Sequence, residues 1–147
     1  MSIWWSLHLR REAASVPLAR RLLLGTMETA GVDPDISFDL SVALSEACAN
    51  AVEHGGGGGI ADETGAYHVT AYLDGDRCRI EVTDSGPGFP PATETRHRPS
   101  LAEHGRGLHL IEELADHVRF RNRPGRGAVV SFDKMLKWRD DALLKVS

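Results

Sequence analysis

Residues 67–84 read YHVTAYLDGDRCRIEVTD, which are two alternating runs joined by a short polar connection. Every second residue is apolar: Tyr67, Val69, Ala71 and Leu73 in the first run, and Cys78, Ile80 and Val82 in the second. A period of two is typical of strands with one buried face, and Asp74-Gly75 is a favoured turn between paired strands. The stretch therefore predicts a β-hairpin and an antiparallel sheet around it.

Further elements lie on both sides of this hairpin. Strands are predicted at residues 3–9, 118–122 and 128–132, the last two joined by a turn at Pro124-Gly125. Helices are predicted from Ser15, from Asp33-Pro34 to His54, from Gly107 to His117, and as a short tail helix within residues 135–146. Hairpins in place of strict strand–helix alternation predict an α/β (α+β) two-layer sandwich, with a mixed, mostly antiparallel sheet and helices on one face.

Composition sets limits on function. The 147 residues, 41% hydrophobic and 26% charged, suit one globular domain over residues 1–147. No uncharged apolar run approaches the roughly 20 residues of a membrane span, so no membrane association and a cytoplasmic location are expected. The net charge is −4, with −11 over residues 28–95 and +3 over residues 96–126. An acidic chain is not typical of direct nucleic-acid binding, whereas the arginine-rich segment suits either phosphate groups or solvated surface.

The two cysteines are predicted to be free thiols. Cys48 and Cys78 are 30 residues apart, and each lies in an apolar-periodic stretch. Their spacing matches no metal-binding pattern, and cysteine is among the residues that are most often buried.

Three polar residues recur at every fourth position of the second predicted helix: Glu46, Asn50 and His54. Four residues turn an α-helix by about 400°, so the three lie along one face. A carboxylate can act as a general base, and an amide oxygen can ligate Mg²⁺. Polar residues at this spacing also line ordinary solvated helix faces, so the pattern alone leaves both interpretations open.

A second motif follows the hairpin directly, where residues 83–89 read TDSGPGF. Gly86 and Gly88 permit a tight turn and a close approach of the backbone to a ligand. Asp84, at the start of this turn, can accept a hydrogen bond from an exocyclic amine such as that of adenine. A simple exit from strand to loop would carry the same residues.

A third motif, HGRGLHLI at residues 104–111, leads into the third predicted helix. Gly105-x-Gly107 at a helix N-terminus exposes backbone amides near the positive end of the helix dipole, where phosphate binds well. Arg106 adds a guanidinium group suited to phosphate oxygens. No Gly-Lys-Ser/Thr follows and no strand immediately precedes, so neither a Walker loop nor a Rossmann fingerprint is present.

The order and spacing of these motifs resemble the ATPase superfamily of gyrase, the large heat-shock chaperone, histidine kinases and MutL, over about residues 15–133. Glu46-x-x-x-Asn50 is similar to its N box, Asp84-x-Gly86-x-Gly88 to its first glycine box, and Gly105-x-Gly107 to its second. The resemblance implies a Bergerat-type ATP-binding fold and the use of ATP and Mg²⁺.

Within the superfamily, the chain most resembles the small anti-sigma-factor serine kinases of bacteria. The resemblance rests on Ala19-Arg20, on Ala47, Ala51 and His54 around the N box, and on the short segment between Gly88 and Gly105. It implies an anti-sigma serine/threonine kinase that phosphorylates a STAS-domain anti-anti-sigma protein and regulates transcription by exchanging that partner for a sigma factor. Related proteins are dimeric, and the Trp4–Trp5 edge offers a surface for a homodimer.

The same resemblance implies a role for each motif residue. Glu46 orients or deprotonates the attacking hydroxyl, Asn50 holds Mg²⁺, and Asp84 receives the adenine amine. Gly86 and Gly88 let the backbone close on the ring, and Gly105, Arg106, Gly107 and Leu108 meet the phosphates. His54 either contacts the nucleotide or caps the end of the helix.

Two features depart from the family pattern. Family members commonly carry Gly-Thr before the last strand, where this chain has Gly127-Ala128 and so lacks a hydroxyl that could support the nucleotide. The Gly55–Gly59 run is longer than is usual after the N box.

Other classes of function compete with the kinase. A binding module could sequester a sigma factor without catalysis, although the presence of both Glu46 and Asn50 favours the enzyme. A zinc site could use His97, His104, His109 and His117, but their spacing matches no familiar ligand pattern. A histidine kinase needs a dimerisation hairpin for which the chain has no room, so the acceptor is expected to be another protein or water.

Overall fold

In the computed structural model, which describes residues 2–54, 65–84, 106–123 and 127–140, the alternating stretches form strands and the helical-period stretches form helices. The elements in chain order are β1 (Ser2–Arg10), α1 (Ser15–Ala30), α2 (Pro34–His54), β2 (Ala66–Asp74), β3 (Arg77–Asp84), α3 (Arg106–Leu114), β4 (His117–Arg123) and β5 (Gly127–Met135). The described ranges thus contain the five predicted strands and three helices.

The strands form one sheet in the order β1-β2-β3-β5-β4, and every pairing is antiparallel. The apolar side chains of β2 and β3 are buried on one face, where α1, α2 and α3 pack. The middle helix, α2, contacts both other helices and β3. The predicted two-layer α+β sandwich is confirmed, and α2 lies over the centre of the sheet.

The hairpin turns one residue later than its dipeptide suggests. Asp74 still pairs with Arg77, so the turn consists of Gly75 and Asp76. Gly75 has a φ of 60°, which glycine adopts without the steric cost that a Cβ brings. The glycine therefore fixes the register that brings Asp84 to the far end of β3.

The junction between α1 and α2 follows the sequence signals. Gly31 has a φ of 90°, and its N–H donates to the carbonyl oxygens of Met27 and Glu28, which ends α1. Asp33 Oδ1 then accepts the Asp35 N–H at 2.8 Å, so Asp33 caps α2 as predicted.

The third helix is shorter than predicted, because it ends at Leu114 and not at His117. Asp116 donates its N–H to the carbonyl oxygen of Asp133 at 2.9 Å, and His117 already pairs with Asp133 as the first residue of β4. Lys134 Nζ donates to the carbonyl oxygen of Leu114 at 2.7 Å, at the helix end where a cation is favoured.

The predicted tail helix is wrong for the part of the tail that the structure describes. β5 continues to Met135, and Val32 and Trp138 form an isolated antiparallel bridge. The N–H of Leu136 donates to Asp76 and that of Arg139 to Gly31, so neighbouring segments take the hydrogen bonds that a helix would need. Residues 141–147 lie outside the described ranges.

Three other predictions also fall outside the described residues. They concern the Gly55–Gly59 loop, the Pro124-Gly125 turn and the loop that follows Asp84. Among the helices that are described, none combines the length and the apolar character that crossing a membrane requires.

Both cysteines are free and buried, as predicted. Burial raises the pKa of the Cys48 thiol to about 12, although a hydrogen bond with Tyr67 opposes the rise. Burial also raises the pKa of Cys78 to about 12, with a smaller contribution from the negative charge of Asp133.

We expect both thiols to resist a disulfide reagent at pH 8 in the folded protein. A pKa near 12 in place of 9.0 lowers the thiolate fraction by about a thousandfold, and the thiolate is the reactive form. The contribution of these thiols to stability is present below pH 9 and falls as the pH rises from there towards 12. Absorbance after addition of dithiobis-nitrobenzoate, with and without guanidinium, measures this; rapid reaction of the native protein would contradict it.

Candidate nucleotide-binding site

Two of the three polar residues predicted to share a face of α2 lie at different depths. Asn50 is 8% exposed, whereas Glu46, one turn earlier, is half-buried. His54 is the last residue of α2. The helix therefore presents a buried amide one turn from a partly exposed carboxylate, which suits a ligand-holding group beside a proton acceptor.

The amide oxygen of Asn50 is buried without a hydrogen-bond partner among the residues that the structure describes. Most buried polar atoms are satisfied, so an unpartnered one points to a ligand or ion. Side-chain amide oxygens belong to the ligand set of Mg²⁺, which usually keeps several waters and takes its remaining ligands from phosphates. The position and chemistry of this oxygen therefore fit a magnesium–nucleotide complex.

Asp84 ends β3 with its side chain turned to the helix side of the sheet. It is 8% exposed, and its Oδ1 accepts the backbone N–H of Ala128 at 3.3 Å. This contact arises because β5 pairs with β3 and begins beside the residue where β3 ends. A buried carboxylate that accepts a backbone N–H can also offer an acceptor to an exocyclic amine.

A buried hydrogen-bond network connects α2 to this end of the sheet. Tyr67 is only 2% exposed. Its side chain forms a hydrogen bond with Cys48 on α2, and its hydroxyl oxygen lies 2.5 Å from Ser15 Oγ at the start of α1. Its direct neighbour across β2 and β3 is Asp84. Cys48 precedes Asn50 by two residues, so the network holds the C-terminal half of α2 above the end of β3.

The third motif lies at the N-terminus of α3. α3 ends beside Lys134, and β4 starts opposite Asp133, at the other end of β5. Leu108, in the first turn of α3, is fully buried against the core. Arg106 is the first residue of α3, so the motif whose backbone amides are predicted to bind phosphate lies at the start of this helix.

The contact of Cys48 with Tyr67 thus brings the C-terminal half of α2 to the end of β3, and the meeting of the start of α3 with these two elements stays a prediction. Gly107 is the second residue of α3. Gly86, Gly88 and Gly105 lie outside the described residues, so their contacts with a nucleotide stay predictions.

Sequence reasoning missed two groups at the site. Tyr67 reads as one apolar residue of an alternating strand, and only its contacts with Ser15 and Cys48 identify it as the connection between layers. The backbone N–H of Ala128 carries no sequence signal, because its role follows from the pairing of β5 with β3.

The zinc alternative gains no support from the described residues. They contain no group of three histidine, cysteine or acidic side chains able to hold a metal ion. His109 Nδ1 lies 3.7 Å from Glu112, and His117 Nδ1 lies 2.9 Å from Asp133. His97 and His104 are outside the described ranges.

Comparison with protein families agrees with this geometry. Residues 9–134 match the model of the histidine kinase-like ATPase domain, which covers most of the chain. The chain therefore belongs to the histidine kinase-like ATPase domain family, and use of ATP follows from that membership.

Among individual proteins, the chain is similar to serine-protein kinases and anti-sigma factors of bacteria. The chain is 34% identical over 119 residues to the serine-protein kinase RsbW of Bacillus subtilis, covering 75% of this chain and 72% of that protein. It is 32% identical over 115 residues to the anti-sigma F factor of Pasteuria penetrans, covering 74% and 75% of the two chains.

A solved structure supports the fold. The crystal structure of the RsbU and RsbW domains of a Mycobacterium tuberculosis protein superposes with a TM-score of 0.66 at 26% identity. The match covers 90% of this chain, which spans 32% of the solved one. The predicted fold and family are confirmed by these likenesses.

Proposed function

We propose that this chain is an ATP-dependent serine/threonine protein kinase of the anti-sigma type, acting as one domain over residues 1–147. The observation that carries the proposal is the buried amide oxygen of Asn50, which has no hydrogen-bond partner among the described residues, one helical turn from the half-buried Glu46. Likeness to proteins named serine-protein kinase and anti-sigma factor supports it. ATP, when bound, supplies the phosphoryl group.

The groups that hold the nucleotide come from three elements. Asp84 accepts a hydrogen bond from the adenine amine, while Ala128 orients its carboxylate. Asn50 offers its amide oxygen to Mg²⁺. The first turn of α3, with Arg106 and the amides of residues 105–108, neutralises phosphate charge. Phosphoryl transfer depends mainly on such positioning and charge neutralisation, so few groups suffice.

Glu46 handles the proton of the acceptor. Its carboxylate takes the proton of an attacking serine or threonine hydroxyl as that oxygen bonds to the γ-phosphorus and the bond to the β-phosphate bridge breaks, leaving ADP. Glu46 precedes Asn50 by one helical turn, so base and metal ligand share one rigid support.

We propose a STAS-domain anti-anti-sigma protein as the acceptor and a sigma factor as the competing partner, both in the cytoplasm where ATP is abundant. Only residues 90–104 separate the first glycine motif from the second, which leaves the γ-phosphate accessible to a docked protein. Phosphorylation adds about −1.5 to −2 charges to the acceptor, and the −11 charge of residues 28–95 then favours its release. A homodimer is compatible with this cycle.

Incubation of the chain with labelled ATP, Mg²⁺ and a STAS-domain protein tests the proposal. We expect label on a serine or threonine of the STAS protein, located by mass spectrometry. Free phosphate with no modified partner would make the chain a hydrolase. ATP binding without either product would leave it a binding module that sequesters a regulator.

A further inference from the structure

The segment between β1 and α1 is bonded to the C-terminal half of α2 at two points. We call this segment, residues 11–15, the junction. One contact reaches Val52, two residues after Asn50, and the other reaches Cys48, two residues before it. Asn50 carries the buried amide oxygen that fits a magnesium–nucleotide complex. The two contacts therefore lie on either side of the proposed metal ligand.

The first contact is made by Arg11. Its Nε donates to the carbonyl oxygen of Val52 at 3.1 Å. α2 ends at His54, so the residue four positions after Val52 lies beyond the helix. The last carbonyl oxygens of a helix need partners from outside it, and a cation is favoured at this end of the helix dipole. The arginine side chain therefore secures the last turn of α2.

The backbone of Arg11 is in turn fixed by the sheet. Its N–H donates to the carbonyl oxygen of Gly65 at 2.9 Å, one step beyond the pairing of Arg10 with Ala66. Arg11 is half-buried. One residue thus bonds to the start of β2 through its backbone and to α2 through its side chain, so the last turn of α2 is tied to the sheet.

The second contact is a chain of three buried side chains, Ser15, Tyr67 and Cys48. Ser15 Oγ donates to the carbonyl oxygen of Glu12 at 2.7 Å and lies 2.5 Å from the hydroxyl oxygen of Tyr67. Because a hydroxyl has one proton, Tyr67 then donates to Ser15, and its own oxygen accepts from the thiol of Cys48. Loss of the Tyr67 hydroxyl would break the chain at both bonds.

The position of the Asn50 amide oxygen depends on this support. No hydrogen bond within the described ranges fixes the oxygen itself, so its place follows from the backbone of α2 between Cys48 and Val52. A functional group has to be held within about 0.5 Å of its productive place, and bonds from neighbouring elements supply this precision. The two contacts of the junction are bonds of this kind.

We propose that Arg11 and Tyr67 are positioning residues for the proposed metal ligand Asn50. Arg11 acts through the carbonyl of Val52, and Tyr67 acts through the thiol of Cys48. The inference rests on the proposed use of Mg²⁺ and ATP at this site. Loss of either side chain should weaken the contribution of Mg²⁺ to nucleotide binding and leave binding without Mg²⁺ unchanged.

Calorimetric titration of the full chain with ATP, with and without Mg²⁺, tests the inference. The measured quantity is the ratio of the two affinities, which we call the Mg²⁺ effect. We expect Tyr67→Phe and Arg11→Met each to lower it by about threefold to tenfold, the size of one lost hydrogen bond. A variant that is only less stable would keep the ratio, because a smaller folded fraction lowers both affinities equally.

Matched controls lie at exposed positions. Tyr72→Phe removes a hydroxyl from the same strand, and Arg10→Met removes a guanidinium from the neighbouring residue. Both should keep the full Mg²⁺ effect. Cys48→Ser keeps a donor for Tyr67 and should retain more of the effect than Cys48→Ala. Tyr67→Phe combined with Cys48→Ala should lose no more than either change alone, because both remove the same bond.

A full Mg²⁺ effect in Tyr67→Phe or in Arg11→Met would overturn the role proposed for that residue, while the proposed function would stand. An equal loss in the Tyr72 or Arg10 control would also overturn the inference, as would equal losses of affinity with and without Mg²⁺. Absence of any Mg²⁺ effect in the unchanged chain would contradict the proposed metal site itself, and the positioning role with it.

Discussion

Replacing Asp84 by asparagine lowers the affinity of the chain for ATP by about tenfold to 100-fold. The aspartate offers acceptors on both oxygens, and one of them takes the N–H of Ala128 at 3.3 Å. Asparagine has one acceptor and one donor, so either Ala128 or the adenine amine then meets a donor. A buried, mispaired group of this kind costs about 1–3 kcal/mol, which corresponds to the stated loss.

Calorimetric titration with ATP and Mg²⁺ measures the effect. Asp74→Asn is the matched control, because Asp74 is an exposed aspartate at the opposite end of the hairpin and should bind ATP normally. GTP provides a second check, since its ring carries a carbonyl where adenine has the amine and should gain relative to ATP in the variant. An unchanged affinity for ATP in Asp84→Asn would remove this residue from the site.

The strands and the hairpin could be predicted from sequence because their signals are local. Alternation from Tyr67 to Val82 sets which side chains are buried, and Gly75 sets where the chain turns. The capping residue Asp33 and the stop at Gly31 are equally local, since each acts on backbone groups within a few residues.

The errors lie where distant segments compete for the backbone. Residues 115–117 continue a helical pattern in the sequence. In the structure, however, the Asp116 N–H donates to the carbonyl oxygen of Asp133, and His117 pairs with Asp133 as the first residue of β4. Residues 136–139 likewise bond to the hairpin turn and the α1–α2 junction. Local helix propensity takes no account of these tertiary hydrogen bonds. The prediction from sequence therefore made α3 too long and placed a helix in the tail where the structure has none among residues 135–140.

The candidate site shows the same division. The motif residues Glu46, Asn50 and Asp84 follow from the sequence pattern, and the contact of Cys48 with Tyr67 brings α2 to the end of β3. The connection through Tyr67 and the backbone contact of Ala128 depend on pairing between strands distant in the chain. The order and register of all five strands likewise depend on pairings that no single stretch of sequence specifies.

Glu46→Gln is expected to keep ATP binding and to lower phosphoryl transfer by about 10²–10⁴-fold. Glutamine has the size of glutamate but does not accept the hydroxyl proton, and loss of a general base has effects of this order. Because the hydrogen bond between Ala128 and Asp84 does not involve Glu46, binding of the nucleotide should change little. Single-turnover transfer of labelled phosphate to the acceptor protein, at saturating ATP, measures the chemical step.

Asn50→Ala should lose nucleotide binding, whereas Glu46→Gln should lose phosphoryl transfer. This contrast supports the assignment of Asn50 to the metal and of Glu46 to the proton transfer. Removing the buried amide oxygen should abolish the increase in nucleotide affinity that Mg²⁺ causes, with transfer lost as a result of weak binding. Glu28→Gln, at an exposed position of α1, should leave both quantities unchanged. Normal transfer by Glu46→Gln would show that this carboxylate is not the base, and a full Mg²⁺ effect in Asn50→Ala would separate Asn50 from the metal.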